Sequence, residues 1–109
     1  MKRVLFDEDM PRQLRRDLPE FGIRTVQEEG WSSFKNGALL RQASAAGFDV
    51  LVSADQRLQY QQNIATFKIG VVVIEAVDTR LPSLRTALPE LRTAISEVEP
   101  GSLLIVTVP

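Results

Sequence analysis

Cysteine and histidine are both missing from this chain of 109 residues. Without cysteine there is no disulfide, no thiolate zinc site and no sulfur nucleophile. Without histidine there is no Ser-His-Asp triad, no imidazole metal ligand and no ordinary neutral-pH general base. Any catalysis must run on carboxylates, hydroxyls, amides, lysine, arginine or a bound metal. Long apolar runs are missing too, since nothing approaches the ~20 residues of a membrane span. The N-terminal "MKRVLF" has basic residues but lacks the apolar stretch of a signal peptide. The expected setting is therefore the cytoplasm, with no membrane partner. A net charge of −1 supplies no global field for nucleic acid, so a local patch would have to carry such binding.

What is present is ordinary globular composition, with 44% hydrophobic and 25% charged residues. No repeat, low-complexity tract or linker interrupts it, and a single domain over residues 1–109 is expected. Short apolar runs alternate with helical patterns. "RVLF" (3–6), "IRTV" (23–26), "DVLVS" (49–53), "IGVVVIE" (69–75) and "LLIVTV" (103–108) read as strands. Between them, "MPRQLRRDLPEF" reads as a helix ended by Gly22, and "QEEGWSSFKNG" as a loop. "ALLRQASAAG" reads as a helix capped by Gly47, and residues 56–64 as a short helix. Leu81 to Val98 is a longer helical stretch that Pro89 should kink or split. Near-continuous apolar strands are buried on both faces, and alternation with helices makes their sheet mostly parallel. The pattern predicts a three-layer α/β/α sandwich around a mostly parallel five-stranded sheet.

In such sheets ligands bind outside the carboxyl ends of the strands. Asp7, Glu8 and Asp9 follow the first strand in "LFDEDMP", and Asp55 follows the third in "VLVSADQRL". If those strands are neighbours, Asp7 and Asp55 converge. Converging carboxylates without histidine suit a hard cation, Mg²⁺ or Mn²⁺, with Glu8 assisting. Asp9 stands where the N-cap of the first helix belongs, with Pro11 in the first turn, and is expected to be that cap. Asp55 can cap the helix over 56–64 as well as bind a metal.

Other polar residues gather at the same edge. Asn36 opens a helix and serves either as a turn residue or as a site residue. Arg12, Arg15 and Arg16 follow the acidic run and Arg57 follows Asp55. An acidic centre rimmed by arginine suits a phosphodiester, although each arginine singly is as readily a solvated charge. Gln61, Gln62 and Asn63 can hydrogen-bond a base. Trp31 and Phe34 can stack on one, but the more ordinary expectation is that they cover the adjacent helix. Glu75 supplies a further carboxylate if the fourth strand adjoins the first.

The stretches "LFDEDMPRQLRRDL", "GWSSFKNGALLRQA", "FDVLVSADQRLQYQQN" and "IGVVVIEA" resemble the DUF5615 group of small PIN-like proteins, related to the Mut7-C and VapC-type PIN domains. The resemblance runs over nearly the whole chain, in order. It implies a PIN-like sandwich and an Mg²⁺/Mn²⁺-dependent endoribonuclease that hydrolyses RNA with metal-activated water. It further implies the toxin of a toxin–antitoxin pair, with a small cognate antitoxin as partner. PIN-like relatives often form homodimers, and the exposed side of the last helix is the surface such pairing would use. By position, Asp7 becomes the first metal-binding acid, Glu8 its companion and Asp55 the acid after the third strand. Asn36 would orient water or ligate through its carbonyl, while Arg12, Arg16, Arg57 and Gln62 would contact substrate. Two departures stand out. Many relatives carry an acid where this chain has Asn36, and many carry a second acid where it has Arg57. Both changes reduce the negative charge of the site and weaken a metal. They leave open a catalytically silent PIN-like module that binds RNA or a protein partner. A phospho-acceptor receiver also places acids after the first and third strands, but the lysine it needs after the fifth strand is absent from "VTVP".

Overall fold

The computed structural model describes residues 1–61 and 63–109. Its strands are β1 (Arg3–Phe6), β2 (Gly22–Thr25), β3 (Val50–Ser53), β4 (Gly70–Glu75) and β5 (Leu103–Thr107). Its α-helices are α1 (Val26–Glu29), α2 (Asn36–Ala45), α3 (Leu81–Arg85) and α4 (Leu88–Glu97). Three 3₁₀ turns, Arg12–Asp17, Gln56–Tyr60 and Ile64–Thr66, complete the set. The strands form one sheet in the order β2-β1-β3-β4-β5, and every pairing is parallel.

Side chains alternate across this sheet with the period of two that a pleated strand imposes. Val4 and Phe6, Val50 and Val52, and Val72 and Ile74 face one layer. There they meet Leu14 from the first 3₁₀ turn, Leu84 from α3, and Leu91 and Ile95 from α4. Leu5, Leu51, Val71 and Val73 face the other layer, against Val26 of α1 and Leu39, Leu40 and Ala43 of α2. The architecture is thus the expected three-layer sandwich. Each fully buried aliphatic side chain contributes about 1.5–3 kcal/mol. Gly70 lets β4 start tight against the 98–99 segment, because a Cβ there would sit 2.8 Å from Val98 Cγ1.

Several local expectations change. The helix expected after the acidic run is the 3₁₀ turn Arg12–Asp17, and Gly22 opens β2 instead of ending that helix. The helix expected over 56–64 is two 3₁₀ turns. The loop after β2 contains α1, started by a capping box. The Glu28 N–H donates to Thr25 Oγ1, and the Thr25 N–H donates to the Glu28 carboxylate. The long helix splits as Pro89 requires, with the break just ahead of it at Thr86 and Ala87. Strand β5 lies at the sheet edge and is not buried on both faces, since Leu104 and Ile105 are 39% and 45% exposed.

Candidate functional site

Winding from β1 outward to β2, then back across to β3, sends the connections away from the β1–β3 boundary in opposite directions. Such a switch point leaves a crevice at the carboxyl ends of the two strands. Here the crevice is a cleft of about 240 Å³ lined by Asp7, Glu8, Asp9, Phe34, Lys35, Asn36, Leu39, Asp55 and Arg57. Asp7, Glu8, Asn36, Asp55 and Arg57 therefore come together from three separate parts of the sequence.

The hydrogen bonds explain how. The Asp7 N–H donates to the Val52 carbonyl at 2.9 Å, carrying the ladder one residue past β1. Ser53, the last residue of β3, is completely buried. Its hydroxyl donates to Asp7 Oδ2 at 2.6 Å and accepts the Asp55 N–H at 3.0 Å. Asp7 Oδ1 accepts the Glu8 N–H at 2.8 Å. One buried hydroxyl thus links the acids of both strands.

Asp9 is the correction. It caps no helix: Pro11 holds the N-cap position of the 3₁₀ turn, without a side-chain cap bond. Instead the Ala54 N–H donates to both Asp9 carboxylate oxygens, at 3.1 and 3.2 Å. The turn over residues 7–10, closed by the Met10 N–H donating to the Asp7 carbonyl at 3.0 Å, brings Asp9 back beside Asp7, and the Ser53 hydroxyl reaches both carboxylates, at 2.6 Å and 3.4 Å. Burial, followed by repulsion from Asp7 and Asp55, pushes Asp9 up to about 6, against the opposing pull of the Ala54 N–H. Asp9 is the site residue that sequence reasoning missed. Its place in the acidic run directly after the first strand was the available signal. Ser53 was missed as well, its only signal being a hydroxyl at the end of an apolar strand.

Asp55 has the opposite surroundings. Its carboxylate accepts the Arg57 N–H at 2.9 Å and so caps the turn Gln56–Tyr60. It also takes a bidentate pair from the Arg57 guanidinium, Nε to Oδ1 at 3.0 Å and Nη2 to Oδ2 at 2.9 Å. That pairing holds Asp55 below the usual carboxylate range. The Gln56 amide donates to the Ile74 carbonyl at 2.7 Å and ties this segment to β4. Across the cleft, Lys35 Nζ stands 3.9 Å from Glu8 Oε1. Asn36 opens α2 with φ at +38°, a left-handed conformation that a non-glycine residue holds only under constraint.

Other expected residues lie elsewhere. Arg12 and Arg16 do not line the cleft; with Gln13 and Arg15 they line a separate hollow of about 280 Å³. Gln62 lies outside the described residues. Glu75 ends β4, which pairs with β3 and β5 and not with β1, so its carboxylate meets Thr107 and not the acidic run. Trp31 packs edge-to-face on Phe48 at 5.8 Å, covering the α2 layer, while Phe34 faces the cleft.

The donor chemistry suits a hard cation, for Asp7 and Asp9 are oxygen ligands with no ion pair among the described residues. The set is sparse, however. Among the described residues no group of three acidic side chains is arranged to hold an ion together. Two carboxylates plus water is nevertheless a normal magnesium environment. No protein-family model, curated protein or solved structure matches this chain.

Proposed function

We propose that the cleft binds Mg²⁺ or Mn²⁺ and hydrolyses RNA phosphodiesters, in the manner of a PIN-like endoribonuclease. The observation that carries this reading is the convergence of Asp7 and Asp9 at a switch point, partly buried and without a counter-charge among the described residues. Keeping two such groups charged together is unfavourable unless a cation or a proton neutralises one of them, and near neutral pH a cation is the better partner. Asp7 and Asp9 would hold the ion, with Glu8 at the rim and Asp55 available when Arg57 swings away. Asn36 would orient water through its amide. Arg57 would release Asp55 and grip a phosphate oxygen, and Arg12 and Arg16 would contact phosphates elsewhere. A divalent cation, when bound, polarises a phosphate oxygen and lowers the pKa of an attacking water. Within the same reading, the chain acts in the cytoplasm as the toxin of a pair whose antitoxin would mask this cleft.

A specific observation favours the second reading, a catalytically silent module. Arg57 already neutralises Asp55 with two guanidinium bonds. Incubation of purified protein with structured and unstructured RNA, in EDTA and then in millimolar Mn²⁺, separates the two. Cleavage that needs Mn²⁺ and disappears in Asp7→Asn supports the nuclease. Binding without cleavage at any metal concentration supports the silent module.

A further inference from the structure

Among the described residues, Arg12, Arg16, Arg41 and Lys68 are the cations that meet neither a carboxylate nor a carbonyl. They fall into two groups. Arg12 and Arg16 line the hollow with Gln13 and Arg15, outside the cleft. Arg41 and Lys68 lie in a groove of about 570 Å³ between α2 and residues 61–68. This groove adjoins the cleft directly. Asn36 lines one and Gly37, the next residue of α2, lines the other.

The groove's charge is of one sign. Arg41 and Lys68 line it, and none of its lining residues is acidic. Its remaining walls are polar at Ser44 and Asn63, with Phe67 beside them. Gly37 lets the Gln61 side chain close over the start of α2, since a Cβ there would stand 3.1 Å from Gln61 Nε2. Positive charge beside neutral hydrogen-bonding groups fits a strand whose phosphates and base edges are both accessible. Duplex RNA hides its base edges, whereas a single strand offers them.

We infer that the Arg41–Lys68 groove is the track for a single-stranded nucleic acid leaving the acidic cleft, with each cation holding one phosphate. This rests on the reading of the cleft as a phosphodiester site. The strand would run across the acids and along α2, through the junction at Asn36 and Gly37. The groove supplies sequence-independent grip, and the cleft supplies the chemistry. RNA and single-stranded DNA share the phosphate chemistry, and the 2′-hydroxyl is what separates them.

The test is binding of fluorescent oligouridylate and oligodeoxythymidylate in EDTA, over a range of salt concentrations, with no metal to promote cleavage. The proteins are wild type, the double variant Arg41→Gln/Lys68→Gln, and a charge-matched control, Arg24→Gln/Arg80→Gln. Both control arginines lie outside the groove and pair with acids. Each lost phosphate contact on a single strand lowers the slope of log K against log salt by ~0.7. The groove variant should lose ~1.4 from that slope and bind on the order of tenfold more weakly, while the control keeps the wild-type slope. An unchanged slope in the groove variant, with wild type still binding, overturns the track and leaves the cleft reading standing. No binding of either oligonucleotide by wild type, in EDTA or in Mn²⁺, overturns both. A lost slope without Mn²⁺-dependent cleavage supports the track and removes the nuclease. Tighter oligouridylate binding assigns the groove to RNA, and equal binding assigns it to single strands of either kind.

Discussion

The two walls of the cleft are built from the same kind of strand end, yet they treat their carboxylates in opposite ways. On the β1 wall, Asp7 and Asp9 are held by backbone N–H groups and one hydroxyl, with no cation, and burial pushes Asp9 up to about 6. On the β3 wall, Asp55 is more open, caps a turn, and is clamped by Arg57 into a lowered pKa. The β3 wall is electrostatically satisfied and the β1 wall is not. A cation entering the cleft would therefore gain most on the β1 side. The contrast also shows that an acid just past a strand can be a site residue or a cap according to what the next three residues supply.

The largest expected effect comes from the β1 wall. Asp7→Asn should lower Mn²⁺-dependent cleavage by at least ~100-fold, as losses of metal-orienting groups do. Because asparagine keeps the shape and one acceptor for Ser53, circular dichroism should show an unchanged fold.

Next come two substitutions of opposite sign. Asp9→Asn removes a repelled, partly buried charge and should raise the melting temperature of the metal-free protein. After allowance for solvent screening the gain is roughly 1–2 kcal/mol. Asp55→Asn loses the Arg57 pair and weakens a cap, and should lower stability by about 1 kcal/mol. Chemical denaturation of both variants at pH 7 checks the pair, and equal signs would erase the contrast between the walls.

The same contrast sets the pH response. Asp9 has a folded pKa above its unfolded value, so the folded state binds the extra proton between about pH 4 and 6. Its contribution therefore falls as pH rises through that window and stays low above it. Asp55 has a lowered folded pKa, so its contribution is present above the ordinary carboxylate range and is lost on acidification. Urea midpoints from pH 4 to 7 should rise relative to wild type in Asp9→Asn as pH increases. The smallest effect is expected from Arg57→Gln, which frees Asp55 and should tighten Mn²⁺ binding by a few-fold, on the order of fivefold at most, because the pair is largely solvent-screened. Titration calorimetry reads this directly.

Much of this arrangement was legible in the chain. The apolar runs marked five strands because near-continuous β-branched residues suit a sheet covered on both faces, which the edge strand β5 is not, and β1–β3 pairing brings Asp7 and Asp55 to one cleft as the strand-end rule requires. Asp9 was misread because a cap is the common fate of an acid before Pro11. The segment is instead a 3₁₀ turn that Pro11 starts by its backbone alone, freeing Asp9 for the Ala54 N–H. Helix α1 was hidden inside a loop although "TVQE" carries its capping box. The Arg57 clamp was unreadable, because a residue two positions from an acid can point either way until the turn geometry is known. The exposure of Ile105 was likewise unreadable, since an edge strand and a central strand share the same apolar composition.

The most direct test of the uncompensated β1 wall is a thermal melt of wild type and Asp7→Asn with and without millimolar Mn²⁺. A ligand that binds only the folded state must raise its stability. The account predicts a rise of several degrees in wild type, about 1 kcal/mol or more at saturating metal, and none in Asp7→Asn. No rise in wild type, or an equal rise in both proteins, would contradict it.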